Sequence, residues 1–257
     1  MKISVVLPVC APTPFLRAMT EFCIRALREN AVDDFELVVV EAGEPFFDPS
    51  GFNHDASLGI DRYVHFAEKI GITKEINAGF DAAAGEYVIF AGNDVIALEG
   101  WDTAIMEPFE RFKDCGIACL AALEPGYFIG PPKPLPLIVE GMYAPFMMFR
   151  KGWRFDEEFV AYCDSDLVMR MYAAGLRAYR NNRVQVHHLN GITRARVQAD
   201  GGAGEIAEGE KLFYERWGDS PLWMFGMIRS GAIVYGREHE AWLRPIQLHP
   251  IKEKKHD

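Results

Sequence analysis

Residues 3–8, Ile-Ser-Val-Val-Leu-Pro, are a short apolar run stopped by proline. A loop with Pro12 and Pro14 follows, then a helical stretch over 15–30 and a second apolar run over 35–40. The helix is read from Leu16, Met19, Cys23 and Leu27, which recur on one face. Two buried strands joined by a crossover of this length pair in parallel, because a tight hairpin turn cannot connect parallel neighbours. The order predicts an α/β fold, and open α/β sheets place their ligands at the carboxyl ends of their strands. Glu41 closes the second strand at that edge.

The alternation continues down the chain. A strand is expected over 63–66, a helix over 73–84, a strand over 85–90 and a helix over 101–112. The strand at 85–90 runs into Ala91-Gly92-Asn93-Asp94-Val95, which puts Asp94 at a strand end on the same edge. Residues 124–136 hold Pro125, Gly126, Gly130, Pro131, Pro132, Pro134 and Pro136, so they read as a loop bordering the site. Residues 142–150 are apolar and strand-like.

With 257 residues, the chain can bury a full core. The expected organisation is a core over 1–191 and a C-terminal helical extension over 192–257 packed on it. In that extension residues 205–217 read as a helix, and the aromatic-rich residues 222–235 are a candidate contact for a homodimer. A formal charge of -10 gives no global footprint for nucleic acid. Arg177, Arg180, Arg183, Arg194 and Arg196 nevertheless form a local basic cluster. The five cysteines lack zinc-site spacing and are expected as reduced thiols in the cytoplasm. Met1-Lys2 leads straight into a strand without a signal peptide, and no apolar run reaches the roughly 18–20 residues of a spanning helix.

Residues 155–188 carry the densest chemistry. They contain Phe155-Asp156-Glu157-Glu158-Phe159, Asp164-Ser165-Asp166, Arg170, Gly175 and His187-His188. Leu167, Met171 and Ala174 set a helical spacing that starts at an N-cap, Asp164 or Ser165, and stops at Gly175. Asp166 and Arg170 stand four apart, the spacing of a helical ion pair. Val184 and Val186 alternate with polar residues, so a short strand delivers His187 to the ligand edge. A carboxylate and an imidazole beside a helix N-terminus suit a metal-bound anionic leaving group with a nearby general base.

The ordered set of 3–8, 35–41, Asn77-Ala78-Gly79, Gly85-Glu86-Tyr87, Asp94-Val95, 155–159, Asp164-Ser165-Asp166-Leu167 and His187-His188 resembles the inverting family 2 glycosyltransferases of the GT-A fold. The likeness spans about residues 3–191, and Tyr214-Glu215-Arg216-Trp217-Gly218 resembles an element found after the core in bacterial members. It implies a central mixed, mainly parallel sheet flanked by helices. It also implies a nucleotide-sugar donor, a UDP-sugar foremost, an acceptor glycan or glycolipid hydroxyl, and Mn2+ or Mg2+ on the diphosphate. Modified nucleic acid is a lesser alternative as acceptor.

By the same resemblance, Pro8, Val9, Glu41, Asn77, Gly79, Asn93 and Asp94 match donor-binding positions. Asp94 and His187 match metal-binding positions, with His188 pointing the other way along its strand, and Asp164 matches the catalytic base. Trp153, Tyr162 and Asp166 are acceptor-side candidates. Two positions depart from the family pattern: Gly92 stands where many members have a first aspartate, and Cys163 where many have glutamate.

Plainer roles stay open for several of these residues. Glu41 suits a solvated strand end, Asn77 a local cap, Asp94 a turn and Asp164 a helix cap, while Trp153 and Tyr162 suit core packing. A catalytically inactive nucleotide-sugar- or partner-binding protein is the competing function. A dinucleotide oxidoreductase is disfavoured because no G-x-G-x-x-G follows the first strand.

Overall fold

The computed structural model describes residues 2–43, 45, 58–123, 138–140, 145–189 and 203–218. β1 (Ile3–Val9) is buried at all seven positions. A strand covered on both faces requires helices on both sides of its sheet. The crossover is α1 (Pro14–Glu29), started by Thr13, whose hydroxyl accepts the Leu16 N–H, and by Pro14 in the first turn. β2 (Glu36–Ala42) then returns parallel to β1, with Ser4 opposite Glu36 and Val9 opposite Glu41.

The chain continues as β3 (Arg62–Phe66), α2 (Ile72–Ala82), β4 (Tyr87–Ala91), β5 (Val95–Ala97), α3 (Trp101–Arg111), β6 (Cys115–Leu123), β7 (Ile138–Glu140), β8 (Phe146–Arg150), α4 (Cys163–Ala173), β9 (Arg177–His188) and α5 (Ala203–Trp217). The sheet order is β3-β2-β1-β4-β8-β6-β9-β5, with β7 paired to β9. β1 is parallel to β2 and β4, while β8 runs antiparallel to β4 and β6, so the sheet is mixed as expected. Among the described residues, no helix is long and apolar enough to cross a membrane.

Alternate residues of β1 serve two cores. Val5, Leu7 and Val9 pack with Leu16, Cys23 and Leu27 of α1 and Trp101 and Ile105 of α3. Val6 packs on the opposite face with Ile76 and Phe80 of α2, Leu167 and Met171 of α4 and Phe213 of α5. α2 lies close because Gly79 has no side chain: a Cβ there would meet Val6 Cγ1 at 2.4 Å and Val40 Cγ2 at 2.7 Å.

Four elements differ from expectation; β5 and β7, three residues each, are too short to leave an alternating pattern in the sequence. β6 was not foreseen, since Cys-Gly-Ile-Ala-Cys-Leu-Ala-Ala-Leu mixes small residues with few β-branched ones. β9 is far longer than a strand around Val184 and Val186, because tertiary pairing with β6 and β7 holds its polar first half, while β5 pairs with its end. A register shift between Leu120 and Ala121 accommodates its extra residues. The expected loop at 124–136, Arg194, Arg196 and the tail at 222–235 lie outside the described residues.

At the amino edge of the sheet, buried Glu36 ties three segments together. Its carboxylate accepts from Ser4 Oγ of β1, Arg62 Nε of β3 and the Ala84 N–H, and Ser4 Oγ accepts in turn from the Gly85 N–H. Burial alone would raise the Glu36 pKa; the bonds from Ser4, Ala84 and Arg62 outweigh it, and the net shift is downward. A depressed carboxylate adds stability above its unfolded value of 4.5, and that stability is lost as pH falls through the lower folded value. Glu36→Ala is expected to lower urea stability at pH 7 by about 3 kcal/mol, by orphaning buried donors. Glu36→Gln is expected to flatten the loss of stability below pH 4.5.

Candidate functional site

The carboxyl ends of β1 and β2 meet the start of α2. Glu41, 2% exposed, accepts from the Tyr63 hydroxyl at 2.7 Å. Tyr63 stacks on His65, whose Nε2 contacts the Gly43 carbonyl. Just past β1, Cys10 lies within the field of Lys69, Glu75 and Glu41; burial chiefly raises its pKa, Lys69 opposes, and the two acids add. Pro8 and Val9 are buried strand residues opposite Val40 and Glu41. In the first turn of α2, burial raises the Glu75 carboxyl although the Ile70 and Gly71 N–H groups and Lys69 oppose it.

α2 and α4 meet there through Thr73. Its hydroxyl donates to the Phe159 carbonyl, and its side chain is hydrogen-bonded to the Cys163 thiol at the start of α4. Burial, reinforced by the neighbouring Asp164 carboxylate, pushes that thiol far up, so Cys163 is neutral and supplies no second acid. Asp164 is half-buried in the first turn of α4, where the helix dipole favours an anion.

The turn between β4 and β5 carries the second half of the site. The Gly92 N–H donates to the Pro145 carbonyl and the Leu189 N–H to the Asp94 carbonyl, which pins the turn between β8 and the end of β9. Asn93 donates to Thr20 of α1 at 3.1 Å. Asp94 lies beside Cys23, whose thiol is pushed up to about 12 by burial and by that carboxylate. Strand alternation was expected to bring His187 to this edge. The structure instead puts His188 Nε2 3.6 Å from Asp94 Oδ1, and the two-residue period turns His187 to the other face.

Asp94 and His188 suit a divalent ion as a partial ligand set. Their separation is near the about 3 Å between adjacent ligands of an octahedral ion, and a nitrogen–oxygen pair fits manganese better than calcium. Among the described residues no group of three or more His, Cys, Asp or Glu could hold a metal by itself. An ion held there would need further ligands from outside this pair. A Cβ at Gly92 would lie 2.9 Å from Asp94 Oδ1, so a side chain there would crowd the Asp94 carboxylate unless that carboxylate turned away.

Residues 155–166 hold five acids, and four have partners. Asp156 Oδ2 and Glu158 Oε2 accept from Arg216, and Glu157 accepts from Asn77. Asp166, wholly buried, accepts from Arg170 at 2.7 Å, Arg216 at 3.1 Å and Trp217 Nε1 at 3.0 Å. Of these five acids, Asp164 alone has a carboxylate that takes no hydrogen bond or ion pair from the described residues. Burial would raise the Asp156 pKa, but the Glu158 N–H and Arg216 outweigh it and hold it below the usual range.

This geometry corrects several expectations. Neither Asp164 nor Ser165 caps α4: the cap is Tyr162, with φ 66° and no side-chain cap bond. For tyrosine that left-handed conformation costs about 1–2 kcal/mol. Gly175, at φ 83°, does end the helix region as expected. Asp166 is a buried ion-pair partner rather than an acceptor-side group. Asn77 is committed to the Phe155 backbone, donating to its carbonyl at 2.9 Å and accepting its N–H at 3.1 Å, and Gly79 faces the sheet. Trp153 and Tyr162 pack against the α2–α4 core, Tyr162 with its ring 5.8 Å from Phe213.

Sequence reasoning missed Arg216 and Trp217 as parts of this site. A signal was present: five acids in twelve residues outnumber the cations beside them, Lys151, Arg154 and Arg170, so a distant cation was needed to compensate the buried ones.

Residues 4–173 match the family model described as Glycosyl transferase family 2. No curated protein sequence matches the chain. Among solved structures, S. aureus TarS 1-349 in complex with UDP is 13% identical, with a TM-score of 0.58 over 95% of this chain and 78% of that one. The mannosyltransferase PcManGT from Pyrobaculum calidifontis, in complex with GDP-Man and Mn2+, is 13% identical, with a TM-score of 0.57 over 94% of this chain and 78% of that one. A longer TarS chain is 14% identical with a TM-score of 0.56 over 83% of this chain, which spans 44% of it. At these identities the likeness establishes the fold.

Asn77→Ala leaves the buried Phe155 N–H and carbonyl without partners and is expected to cost about 2–4 kcal/mol in urea unfolding. Nucleotide affinity of the folded variant, measured by calorimetry below its unfolding temperature, is expected to stay within twofold of wild type. A direct donor contact through Asn77 would instead show as a larger affinity loss.

Proposed function

The chain belongs to glycosyl transferase family 2, and we propose that it transfers a hexose from a nucleoside-diphosphate sugar to an acceptor hydroxyl with inversion at the anomeric carbon. One observation carries the assignment of the base. Of the acids in residues 155–166, Asp164 alone keeps its carboxylate unengaged among the described residues, at the first turn of α4 beside the start of α2. An ionised carboxylate held by a helix dipole next to the ligand edge is suited to take a proton.

In this reading the acceptor oxygen forms a bond to the anomeric carbon as the bond to the diphosphate oxygen breaks. The bonding pair leaves with the nucleoside diphosphate, and the acceptor proton passes to Asp164. Attack opposite the leaving group inverts the configuration. Glu41, whose carboxylate Tyr63 orients, is assigned to the nucleoside together with the backbone at Pro8 and Val9. Asn93 and Asp94 are assigned to the donor side, with Asp94 and His188 as the protein ligands of Mn2+ or Mg2+. When bound, such an ion neutralises charge developing on the departing diphosphate.

The donors carried by the similar structures, UDP-GlcNAc and GDP-Man, make a nucleotide-diphosphate hexose the class to test first. The acceptor is assigned to glycan or glycolipid hydroxyls. The cytoplasm is the proposed compartment, in keeping with five free cysteines.

Asp164→Asn is expected to bind the donor nucleotide as wild type does and to lose transfer about 10²–10⁴-fold. Release of nucleoside diphosphate from UDP-GlcNAc or GDP-mannose, with calorimetric binding in parallel, measures both. Transfer near the wild-type rate in Asp164→Asn would remove it as base. Donor binding without nucleotide release by the wild-type protein would identify a non-catalytic binding protein of the same fold.

A further inference from the structure

We propose that α5 is a clasp on the turn that carries Asp164, and that Arg216 is a positioning residue for that carboxylate. The inference rests on the reading of Asp164 as the base. Its observations are independent of that reading. The Arg216 guanidinium reaches Asp156, Glu158 at 2.8 Å and Asp166 at 3.1 Å, and it lies 4.8 Å over the Phe159 ring. One side chain thus joins the segment before Asp164 to the helical turn that follows it.

The rest of α5 reinforces the same contact. Trp217 Nε1 donates to Asp166 Oδ1 at 3.0 Å, and wholly buried Phe213 packs beside Tyr162. Gly209 lets the helix reach the backbone itself, because a Cβ there would come 2.5 Å from the Ala161 carbonyl oxygen. These contacts fall on residues 156, 158, 159, 161, 162 and 166, on both sides of Asp164. Tyr162 is the only non-glycine residue at positive φ among those described, and it immediately precedes α4. A left-handed tyrosine persists where its surroundings hold it, and α5 supplies part of that hold.

The charge balance explains why Arg216 is the central contact. Without it, Asp156 and Glu158 lose their ion pairs, Asp156 keeping only the more distant charge of Arg170, and Asp166 keeps only Arg170 and Trp217. The acids flanking Asp164 then repel one another, and the turn is free to shift. Displacement of a proton-accepting group by about 1 Å costs about 10²-fold in rate. α5 also lies beyond residue 173, where the family match ends, so this support comes from outside the matched span.

Arg216→Ala and Arg216→Lys in the full chain provide the test, read by hydrogen exchange across residues 155–166 and by nucleotide release from UDP-GlcNAc or GDP-mannose with manganese. Arg216→Ala is expected to lose exchange protection in that segment and to lower kcat about 10–100-fold, with KM for the donor within twofold. Arg216→Lys is expected to restore part of both, and added guanidinium ion to restore part of the Arg216→Ala rate. Trp217→Phe removes one bond to Asp166 without changing charge and is expected to lower kcat about threefold; it remains informative if Arg216→Ala does not fold. Unchanged exchange across 155–166 in Arg216→Ala or, failing that, in Trp217→Phe would overturn the clasp. Parallel loss of kcat and donor affinity would overturn a positioning role. Wild-type protein with no nucleotide release would refute the transferase reading, while the exchange data would still decide the clasp.

Discussion

The burial of β1 on both faces is the constraint from which the rest of the molecule follows. Its seven residues leave no side open to water, so helices must cover both faces, and the crossovers that supply them run the neighbouring strands in parallel. Parallel strands bring their carboxyl ends to one edge. Glu41 follows from β2, Cys10 from β1 and the Asn93–Asp94 turn from β4, while α2 and α4 begin near the same edge and are joined through Thr73 and Cys163. The site is therefore assembled by topology before any of its residues contributes chemistry. Glu36 at the opposite edge fixes β1, β2 and β3 to one another with side-chain bonds.

The sequence showed this frame well because its signals are local. The apolar runs near residues 3–8 and 35–40, the face formed by Leu16, Met19, Cys23 and Leu27, and the stop at Gly175 depend on neighbours in the chain. The expected positions of Asp94 just after a strand and of Asp164 at the start of a helix match the turn after β4 and the first turn of α4. Failures came where a distant partner decides the outcome. Asn77 is spent on Phe155, 78 positions away, and Gly79 is shaped by Val6 and Val40. The length of β9 is imposed by three pairing strands, and its phase, which selects His188 over His187, cannot be read from two adjacent histidines. Tyr162 takes the cap position in a conformation that its own sequence disfavours.

Charge is distributed unevenly around the two halves of the site. On the acid-rich turn, the other four carboxylates are matched by Arg216, Arg170 and hydrogen-bond donors of the described residues, leaving Asp164 as the unengaged acid of 155–166. Around Asp94 the balance is incomplete in a different sense. Among the described residues this turn offers one acid and one imidazole, Asp94 and His188, where a cation needs several ligands. A cation proposed there would gain affinity from substrate phosphates, so metal and nucleotide would bind as a linked pair.

Isothermal titration of the wild-type protein with UDP and with GDP, each with and without Mn2+, tests most directly whether this edge is a nucleotide-diphosphate site with an incomplete metal centre. The account predicts that one nucleotide binds with a stoichiometry of one and that manganese tightens it at least tenfold, with little manganese binding in its absence. Tight manganese binding without nucleotide, or failure of both nucleotides to bind in its presence, would contradict it.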